Sequence, residues 1–565
     1  MSNMSSEKTI KQQSELLPYA FMFFAASLLI TGYRVYFHNQ ALQIPLIHLL
    51  NDPTLYPRDP FAATLPYYAS FTWRLAAWCA RIVPLEPLLL VFYLIERFMA
   101  IYAAGNLARV LAPKSRFAVT GAMAFFAMNP TPIIGGGTLV MPYFEQTGLA
   151  VGFFLFAMAA FYSKRPIAWA LWLAAGFNCN SMYGVYALTY FGAAFILDPD
   201  YRRDMKRWLI PLGLFAILAL PSVILSAAVM RQGHVDKALW FAAARARIPH
   251  HIFPSIWPTI KFTRFAVFLA VSVIVSALRL RTSGAWLSRH SLIWAGVGVT
   301  WVAFAIIAEA VHSPAMMILQ PARSTDLWYS FGVVALLAAA CVAAEDNPRQ
   351  RIFIAFALVP WFVFWPGSHM GWYLLAGFAV LAWNPIWSRI SKGGSQIWAV
   401  RLVIVLVFIS AVFALNDRVE NMDGLKPALY ASPGCSMRQI CDWAMNHTSR
   451  ETTFLIDPTW GEFRGLSRRP AFVTWKDGSA LLWNRPFAAP WVERLQALGC
   501  NIITLKIPSS QFDRLLQNRY DSMTDSDALR LAHRYNLQFW IVKSDHESHL
   551  PTVFRNHYFK ILKLG

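Results

Sequence analysis

The feature that most constrains this chain is a succession of apolar runs separated by short hydrophilic breaks. The runs are roughly 17 to 25 residues long, the length that a helix needs to cross a bilayer core of roughly 30 Å. Hydrophobic residues make up 57% of the chain and charged residues 14%, whereas a soluble protein carries about 25% charged residues. The pattern therefore predicts an all-α polytopic membrane protein and disfavours one large soluble domain with buried helices.

Basic residues set the predicted orientation of the spans. Every break assigned to the cytoplasm, such as DPDYRRDMKR at 198–207, carries two or more Lys or Arg, as expected where these residues fix topology. The N-terminus is therefore predicted in the cytoplasm, with the first run retained rather than cleaved as a signal peptide. Because most basic residues lie in these breaks, the net charge of +20 does not indicate nucleic-acid binding. The predicted spans, about thirteen in all, are 17–33, 86–111, 116–130, 147–162, 166–178, 183–197, 208–230, 265–278, 292–311, 326–343, 352–365, 372–384 and 399–416.

The composition changes near residue 417, where charges rise and long apolar runs stop. We predict a transmembrane domain over 1–416 and a small α/β extracytoplasmic domain over 417–565. A first outer loop is predicted at 34–85 and a second long outer loop at 231–264. Short strands are predicted in TTFLIDP, AFVTW and QFWIVKSD, and helices in CSMRQICDWAMNH, PWVERLQALG and SDALRLAHRYN.

The six cysteines form no disulfide framework. Cys435, Cys441 and Cys500 fall in the predicted outer domain, which in bacteria faces an oxidising compartment. A disulfide between Cys435 and Cys441 stays an open alternative to two free thiols, and nothing in the pattern indicates thiol catalysis.

The first outer loop contains an unusual charged segment, HNQALQIPLIHLLNDPTLYPRDPF, at 38–61. Its prolines restrict their own backbone and that of the preceding residues. A carboxylate at a membrane interface, shielded from bulk water, can act as general base toward a hydroxyl or amine. We therefore predict Asp59 as the lead catalytic residue and Asp52 as the second candidate. In the alternatives, Arg58 holds Asp59 in an inert ion pair or binds phosphate itself, or the Asp–Pro pairs are ordinary turn formers.

The second long outer loop gathers basic residues with almost no acid, in RQGHVDKALWFAAARARIPHHIFPSIWP. Basic residues on the outer face run against the orientation rule, so an anion at the membrane surface is their predicted partner. Arginine forms bidentate hydrogen bonds with phosphate oxygens, and histidine donates a hydrogen bond or a proton to a leaving phosphate. A metal at His250 and His251 is less favoured because neighbouring side chains point apart and no third ligand is close. The other alternative is a basic amphipathic segment attracted to anionic lipid headgroups. The basic set is Arg231, His234, Lys237, Arg245, Arg247, His250 and His251.

Arg323, predicted at the outer mouth of a span, is a third candidate. It either snorkels to the interface or meets the same phosphate from the opposite side. The predicted phosphate-binding residues are thus Arg58, Arg245, Arg247, His250, His251 and Arg323. Secondary candidates, including those for the acceptor, are His38, Glu145 and His369.

With these residues in view, the chain resembles the GT-C superfamily of polytopic glycosyltransferases, which use sugars linked to polyprenyl phosphate. The likeness covers nearly the whole chain: the spans, the long first outer loop with its acidic residue, the loop after the seventh span and the C-terminal outer domain. HNQALQIPLIHLLNDPTLYPRDPF, RIPHHIFPSIW and FRGLSRRPAFVTWK look most like an uncharacterised bacterial group of the superfamily. Two adjacent first-loop carboxylates, a motif of several members, are absent here.

The resemblance implies an inverting glycosyltransferase at the outer face of a bacterial cytoplasmic (inner) membrane. In such enzymes the first-loop carboxylate activates the acceptor, which attacks the anomeric carbon while polyprenyl phosphate leaves. By position Asp59 is implied as the base, with Asp52 second, and His250, His251, Arg247 and Arg323 as phosphate ligands. The implied partners are a polyprenyl-phosphate-linked sugar, membrane lipids and a glycan, lipid or protein acceptor. No cofactor is predicted, and the missing paired motif makes a divalent cation the weaker expectation.

Two other function classes stay open at this point. A transporter or flippase for a lipid-linked or anionic solute is the first, although few charges lie deep in the spans and no half-to-half repeat is visible. A catalytically inactive scaffold whose outer domain binds a partner is the second. Convergence of Asp59, His250 and Arg323 in one outward cavity favours the enzyme, and a central pathway open to both faces favours transport.

Overall fold

Apolar helices form most of the first 421 residues. The computed structural model describes residues 15–128, 134–136, 139, 141–232, 235–279, 285–346, 395–504 and 509–565. Every predicted span up to residue 343, and the one at 399–416, coincides with a helix, whereas 352–365 and 372–384 lie outside the described residues. These helices are Leu17–Thr31, Leu85–Leu111, Arg116–Ala127, Gln146–Tyr162, Pro166–Cys179, Ser181–Leu197, Lys206–Met230, Thr259–Arg279, Ala285–Ala310, Thr325–Asp346 and Ser395–Asn421.

The surface of these helices is apolar enough for lipid. In the described residues, 6 helical stretches have the length and composition to cross a membrane, and further shorter helices are also apolar. On Lys206–Met230, residues Ile210, Ile217 and Ile224 recur on one face and are 84%, 71% and 61% exposed. A row of exposed isoleucine side chains is unfavourable in water and is expected where a helix contacts lipid tails. The predicted class, an all-α polytopic membrane protein with a small C-terminal α/β domain, is confirmed, and the number of spans stays a prediction.

Two charged residues deep in Leu85–Leu111 form hydrogen bonds with the segment 141–145, which leads into the helix Gln146–Tyr162. Glu96 accepts a hydrogen bond from the backbone N–H of Glu145 at 3.0 Å, and Arg97 donates to the carbonyl of Met141 at 3.1 Å. Buried charges are stable only when they are hydrogen-bonded. The pair therefore fixes residues 141–145 at the start of Gln146–Tyr162.

Short helices build the two long loops. Asp236 caps the first helix of the second loop, since its side chain accepts a hydrogen bond from the backbone N–H of Leu239 at 3.0 Å. In the first loop the α-helices are Gln40–Asn51 and Phe71–Cys79 and the 3-10 helix is Ala62–Tyr67; in the second loop they are Lys237–Arg247, Pro249–Ile252 and the 3-10 helix Pro254–Ile256. Pro199–Arg203, Pro314–Met317 and the 3-10 helix Pro321–Ser324 complete the short helices described before residue 395.

The C-terminal segment folds around a small mixed sheet. Near the beginning of this segment, the strand β2 (Tyr430–Ala431) pairs in parallel with β1 (Tyr33–Arg34), which lies at the start of the first outer loop. The sheet has the order β3-β4-β6-β5, with β3 and β4 parallel and the other neighbours antiparallel. Its strands are β3 (Phe454–Leu455), β4 (Phe539–Lys543), β5 (Thr552–Arg555) and β6 (Phe559–Lys563). Its helices are Leu425–Leu429, Cys435–His447, Phe463–Ser467, Ala488–Ala497, Ser509–Asp521 and Asp525–Tyr535, with 3-10 helices Trp475–Leu482 and Arg485–Phe487.

Most sequence predictions for this segment are confirmed. CSMRQICDWAMNH forms the helix Cys435–His447, and TTFLIDP and QFWIVKSD contain β3 and β4. AFVTW is not a strand: it makes one isolated bridge, between Ala471 and Phe454, before the next helix begins. Cys435 is exposed and Cys441 buried, and both are free thiols in the structure.

The outer part of the molecule has one continuous apolar core. Trp73 of the first loop, Trp240 of the second loop, and Trp491 and Trp540 of the C-terminal segment are fully buried in the same cluster. Large aromatic side chains contribute much of the apolar area that a core buries. The C-terminal segment is therefore packed directly on the two long loops.

Candidate functional site

A cavity of about 650 Å³ lies where the two outer loops, the apolar helices and the C-terminal segment meet. Its polar part is lined by six of the residues predicted from the sequence. Its other wall is apolar and comes from Ser181–Leu197 and Lys206–Met230, where Val185, Val223 and Met230 are 39%, 45% and 46% exposed. The apolar wall thus continues onto the surface that faces lipid. The six predicted residues are His38, Glu145, Arg247, His250, His251 and Arg323.

Glu145 is the one carboxylate among the described residues that line this cavity. It stands at the N-cap of Gln146–Tyr162. Asn39 donates to its Oε2 at 2.9 Å, and Gln43 donates to both oxygens at 3.2 Å. Burial raises the pKa of Glu145 above its usual value, although these hydrogen bonds oppose the shift. A hydrogen-bonded carboxylate with a raised pKa has the properties of a general base.

Arg247 and His250 come from the second loop. Arg247 ends the helix Lys237–Arg247, and its Nε donates to the carbonyl of Trp475 at 2.8 Å. Burial lowers the pKa of Arg247 to about 10, so it stays charged at neutral pH. The side chain of His250 is exposed to the cavity, and protein atoms enclose the rest of its surroundings. Desolvation, together with the charge of Arg247, lowers the pKa of His250 to about 3. The site therefore presents a fixed cation beside a neutral imidazole.

His251 differs from its neighbour. Its Nδ1 lies 3.0 Å from the carbonyl oxygen of Gly135; since a carbonyl only accepts, Nδ1 carries the proton. Burial, His250 and Arg323 lower the pKa of His251 well below its usual value, so the ring is neutral and Nε2 offers a lone pair. The two imidazole centroids are 4.0 Å apart. Within the described ranges, no group of three or more His, Cys, Asp or Glu side chains is placed to hold a metal.

Arg323 reaches the cavity from the short 3-10 helix Pro321–Ser324. Its Nη1 donates to the side chain of Gln320 at 3.0 Å, and its guanidinium lies 5.3 Å from the ring centroid of Tyr183. Gln320 has a φ of 45°, a left-handed conformation that is uncommon for a non-glycine residue. Among the described residues, no carboxylate forms a direct ion pair with Arg323 or Arg247. Although burial opposes the charge on Arg323, Asp326 raises its pKa. Burial lowers the pKa of Arg247, but Asp513 and Asp477 oppose this shift, so both side chains stay charged beside the cavity.

Asp59 lies outside the cavity lining. It is buried, and its Oδ2 accepts a hydrogen bond from Nε of Arg464 at 2.6 Å, while Nη1 of Arg464 reaches Asp477 at 2.6 Å. Burial opposes the charge on Arg464, but Asp477 and Asp59 raise its pKa above the usual value. Asp59 is thus held in an ion pair, as in one of the alternatives, but its partner is Arg464 and not Arg58. Arg58 is exposed and lines no part of the cavity. The catalytic role of Asp59 stays a prediction.

Asp52 and Arg245 also lie outside the lining of the cavity. Asp52 forms an ion pair with Arg450 at 2.8 Å and lines a separate cavity of about 790 Å³. Arg245 is exposed, with its guanidinium 5.7 Å from the ring centroid of Phe253. His234 and His369 lie outside the described residues.

Lys476, which the sequence interpretation did not single out, also lines the cavity. It ends the segment FRGLSRRPAFVTWK, and only that quoted resemblance could have drawn attention to it. Its Nζ donates to Oδ1 of Asn39 at 2.7 Å and lies 3.4 Å from Nδ1 of His38. Burial and the Lys476 ammonium lower the pKa of His38 to about 3. The C-terminal segment thus contributes a cation to the same cavity as both loops.

A family model described as a domain of unknown function, DUF6798, matches residues 436–498. No curated protein matches the sequence. The oligosaccharyltransferase of Archaeoglobus fulgidus, tethered to an acceptor peptide, is similar at 12% identity and a TM-score of 0.47, over 94% of this chain and 69% of that one. ArnT from Cupriavidus metallidurans, bound to undecaprenyl phosphate, is similar at 11% identity and a TM-score of 0.45, over 98% of each chain. At these values the likeness assigns neither a residue nor an activity to this chain.

Proposed function

We propose that this chain is a glycosyltransferase that moves a sugar from a polyprenyl-phosphate donor to a glycan, lipid or protein acceptor at the outer face of the cytoplasmic membrane. One observation carries the proposal: a single cavity combines a carboxylate and several cations with an apolar wall that continues onto lipid-facing helices. A ligand that matches such a cavity has an anionic head and a long apolar chain. Polyprenyl phosphate has both.

The cationic end of the cavity is suited to the donor phosphate. Arg247 and Arg323 have guanidinium groups that match phosphate oxygens, and neutral His250 can donate one N–H. The apolar residues near Val223 and Met230 then receive the first part of the lipid chain. In this arrangement the sugar lies toward Glu145.

Glu145 is the favoured base in this proposal, ahead of Asp59. The acceptor O–H or N–H gives its proton to Glu145, and the freed lone pair forms a bond to the anomeric carbon. The bond between that carbon and the phosphate oxygen breaks, and its electron pair leaves with polyprenyl phosphate. Arg247 and Arg323 stabilise the charge that develops on the departing phosphate, an effect that is often large in catalysis. Attack opposite to the leaving group inverts the anomeric configuration.

The test uses the purified chain in lipid nanodiscs with synthetic undecaprenyl-phosphate sugars, hexose and pentose, and measures released undecaprenyl phosphate by mass spectrometry. Release is detectable even with water as acceptor, so the natural acceptor need not be known. Glu145→Gln is expected to lower release by about 10²-fold or more, the usual contribution of a general base. It should leave undecaprenyl phosphate binding close to wild type.

The control is Glu86→Gln, which removes a carboxylate that pairs with Arg438 at 2.9 Å outside this cavity. Asp59→Asn is measured in parallel. If Glu145→Gln releases as much undecaprenyl phosphate as wild type and Asp59→Asn releases none, Asp59 is the base and Glu145 is not. If no variant changes any product in cells or in nanodiscs, the transporter alternative replaces the enzyme.

A further inference from the structure

Lys476 connects the C-terminal segment to the proposed base. It lies on the 3-10 helix Trp475–Leu482, and its Nζ donates to Oδ1 of Asn39 at 2.7 Å. The amide nitrogen of Asn39 donates to Oε2 of Glu145 at 2.9 Å. A residue more than 300 positions from Glu145 is thus joined to it through one side chain.

The ammonium of Lys476 forms no ion pair with a carboxylate in the part of the chain that the structure describes. Arg247 disfavours its charge, whereas the more distant carboxylates of Glu145 and Asp513 favour it. Burial and Arg247 lower the pKa of Lys476 well below its usual value. An ammonium that is largely shielded from water and has no direct ionic partner is costly unless an anion joins it. The cavity beside it is the place where an anion can enter.

A buried ionic network fixes the helix that carries Lys476. Asp477 closes a capping box with Thr474 at the start of this helix. Arg464 bonds Asp477 and Asp59 at 2.6 Å each, so that the first loop and the C-terminal segment share one arginine. Because Asp477 follows Lys476 directly, any shift of this network moves Lys476 in the cavity.

We propose that Lys476 is a ligand of the donor phosphate, and that Asp59 is a positioning residue which holds Lys476 in place through Arg464 and Asp477. This inference rests on the proposed function for the identity of the anion. It gives the C-terminal segment a direct part in the site and assigns the buried aspartate of the first loop a role other than proton transfer.

The first test measures binding of undecaprenyl phosphate, without sugar, to the full chain in nanodiscs by native mass spectrometry. Lys476→Gln is expected to raise the Kd about tenfold or more, the effect of one lost charge-assisted hydrogen bond. Lys476→Arg restores most of the affinity. Lys563→Gln, an exposed lysine of the same segment, serves as the control and binds as wild type. Should the glutamine variant fail to fold, Lys476→Met removes the charge with a side chain of similar length.

Unchanged affinity in a folded variant that lacks the Lys476 charge overturns the phosphate assignment. The two proposals fail separately. A chain that binds undecaprenyl phosphate through Lys476 but transfers no sugar overturns the proposed function alone. A chain that transfers sugar with Lys476→Gln at the wild-type Kd overturns this inference alone.

The second test concerns Asp59 and combines Asp59→Asn with Lys476→Gln. A positioning role predicts weaker phosphate binding in Asp59→Asn and little further loss in the double variant, since both act on one interaction. A purely structural role lowers the thermal stability without this coupling. Wild-type phosphate affinity with abolished turnover in Asp59→Asn contradicts the positioning role and supports Asp59 as the base.

Discussion

At the residue scale, the environment of Glu145 separates it from the other acidic candidates. Asp59 forms an ion pair with the buried Arg464, and the half-buried Asp52 forms one with Arg450. Glu145 instead accepts hydrogen bonds from uncharged amides beside a cavity that carries positive charge. A carboxylate in that position has an oxygen lone pair to offer to a substrate proton.

The pKa of Glu145 leads to a prediction about pH. The deprotonated form is the base, so turnover falls as the pH drops through a pKa that burial has raised above the usual 4.5. Gln43→Leu removes a donor that stabilises the carboxylate, which raises the pKa and moves the acid limb to still higher pH. The measurement is undecaprenyl phosphate release between about pH 4 and about pH 8. Gln40→Leu is the matched control, because Gln40 accepts a hydrogen bond from the backbone N–H of Tyr36 and donates none to Glu145. An acid limb that does not move in Gln43→Leu contradicts the assignment.

At the element scale, the packing of two helices sets the place of Glu145. Gln146–Tyr162 lies against Leu85–Leu111, and the close approach is allowed by Gly148, next to which Glu96 stands. Glu96 in turn accepts the backbone N–H of Glu145 at 3.0 Å. The buried acid within the membrane helix is thus explained by its contact with the site.

Gly148→Ala tests this packing. A Cβ at this position overlaps Oε1 of Glu96, so the side chain of Glu96 must move and its bond to Glu145 is disturbed. We expect a stability loss of about 1–3 kcal/mol, typical of overpacking, together with reduced turnover. The checks are thermal unfolding in detergent and product release. Gly192→Ala is the control, since no atom lies within 4 Å of its added Cβ; equal behaviour of the two variants would refute the packing argument.

The elements themselves were largely predictable, because apolar periodicity and caps are local. The apolar runs predicted most helix bounds to within a few residues, and Cys435–His447 was predicted at both ends. Thr259–Arg279 and Ala285–Ala310 begin six and seven residues before the predicted spans at 265 and 292. Cavity residues such as Arg247 and Arg323 were predicted because basic residues are unexpected in the outer breaks between spans. Asp59 could not be resolved this way: its partner Arg464 is 405 residues away, and spacing along the chain carries no information about such a contact.

At the scale of the whole molecule, the two halves of the site come from distant parts of the chain. The N-terminal end of Gln146–Tyr162 supplies Glu145, and the second loop supplies Arg247 and His250. The C-terminal segment supplies Lys476 and shares an apolar core with both outer loops. The cavity is therefore complete only when the segment after residue 421 is packed in place.

The predicted orientation of the molecule has a direct test in Cys435. From the lysines and arginines in the short breaks we predict that the cavity and the C-terminal segment lie outside the cytoplasm. Cys435 is the exposed thiol of that segment, whereas Cys441 and Cys500 are buried. A membrane-impermeant maleimide should therefore label the wild-type chain in intact spheroplasts. Cys435→Ser should remove that label, which separates it from the partly buried Cys79. If Cys435 is labelled only after the spheroplasts are broken, the C-terminal segment and the cavity lie on the cytoplasmic side. A donor at the outer face could then not reach the cavity.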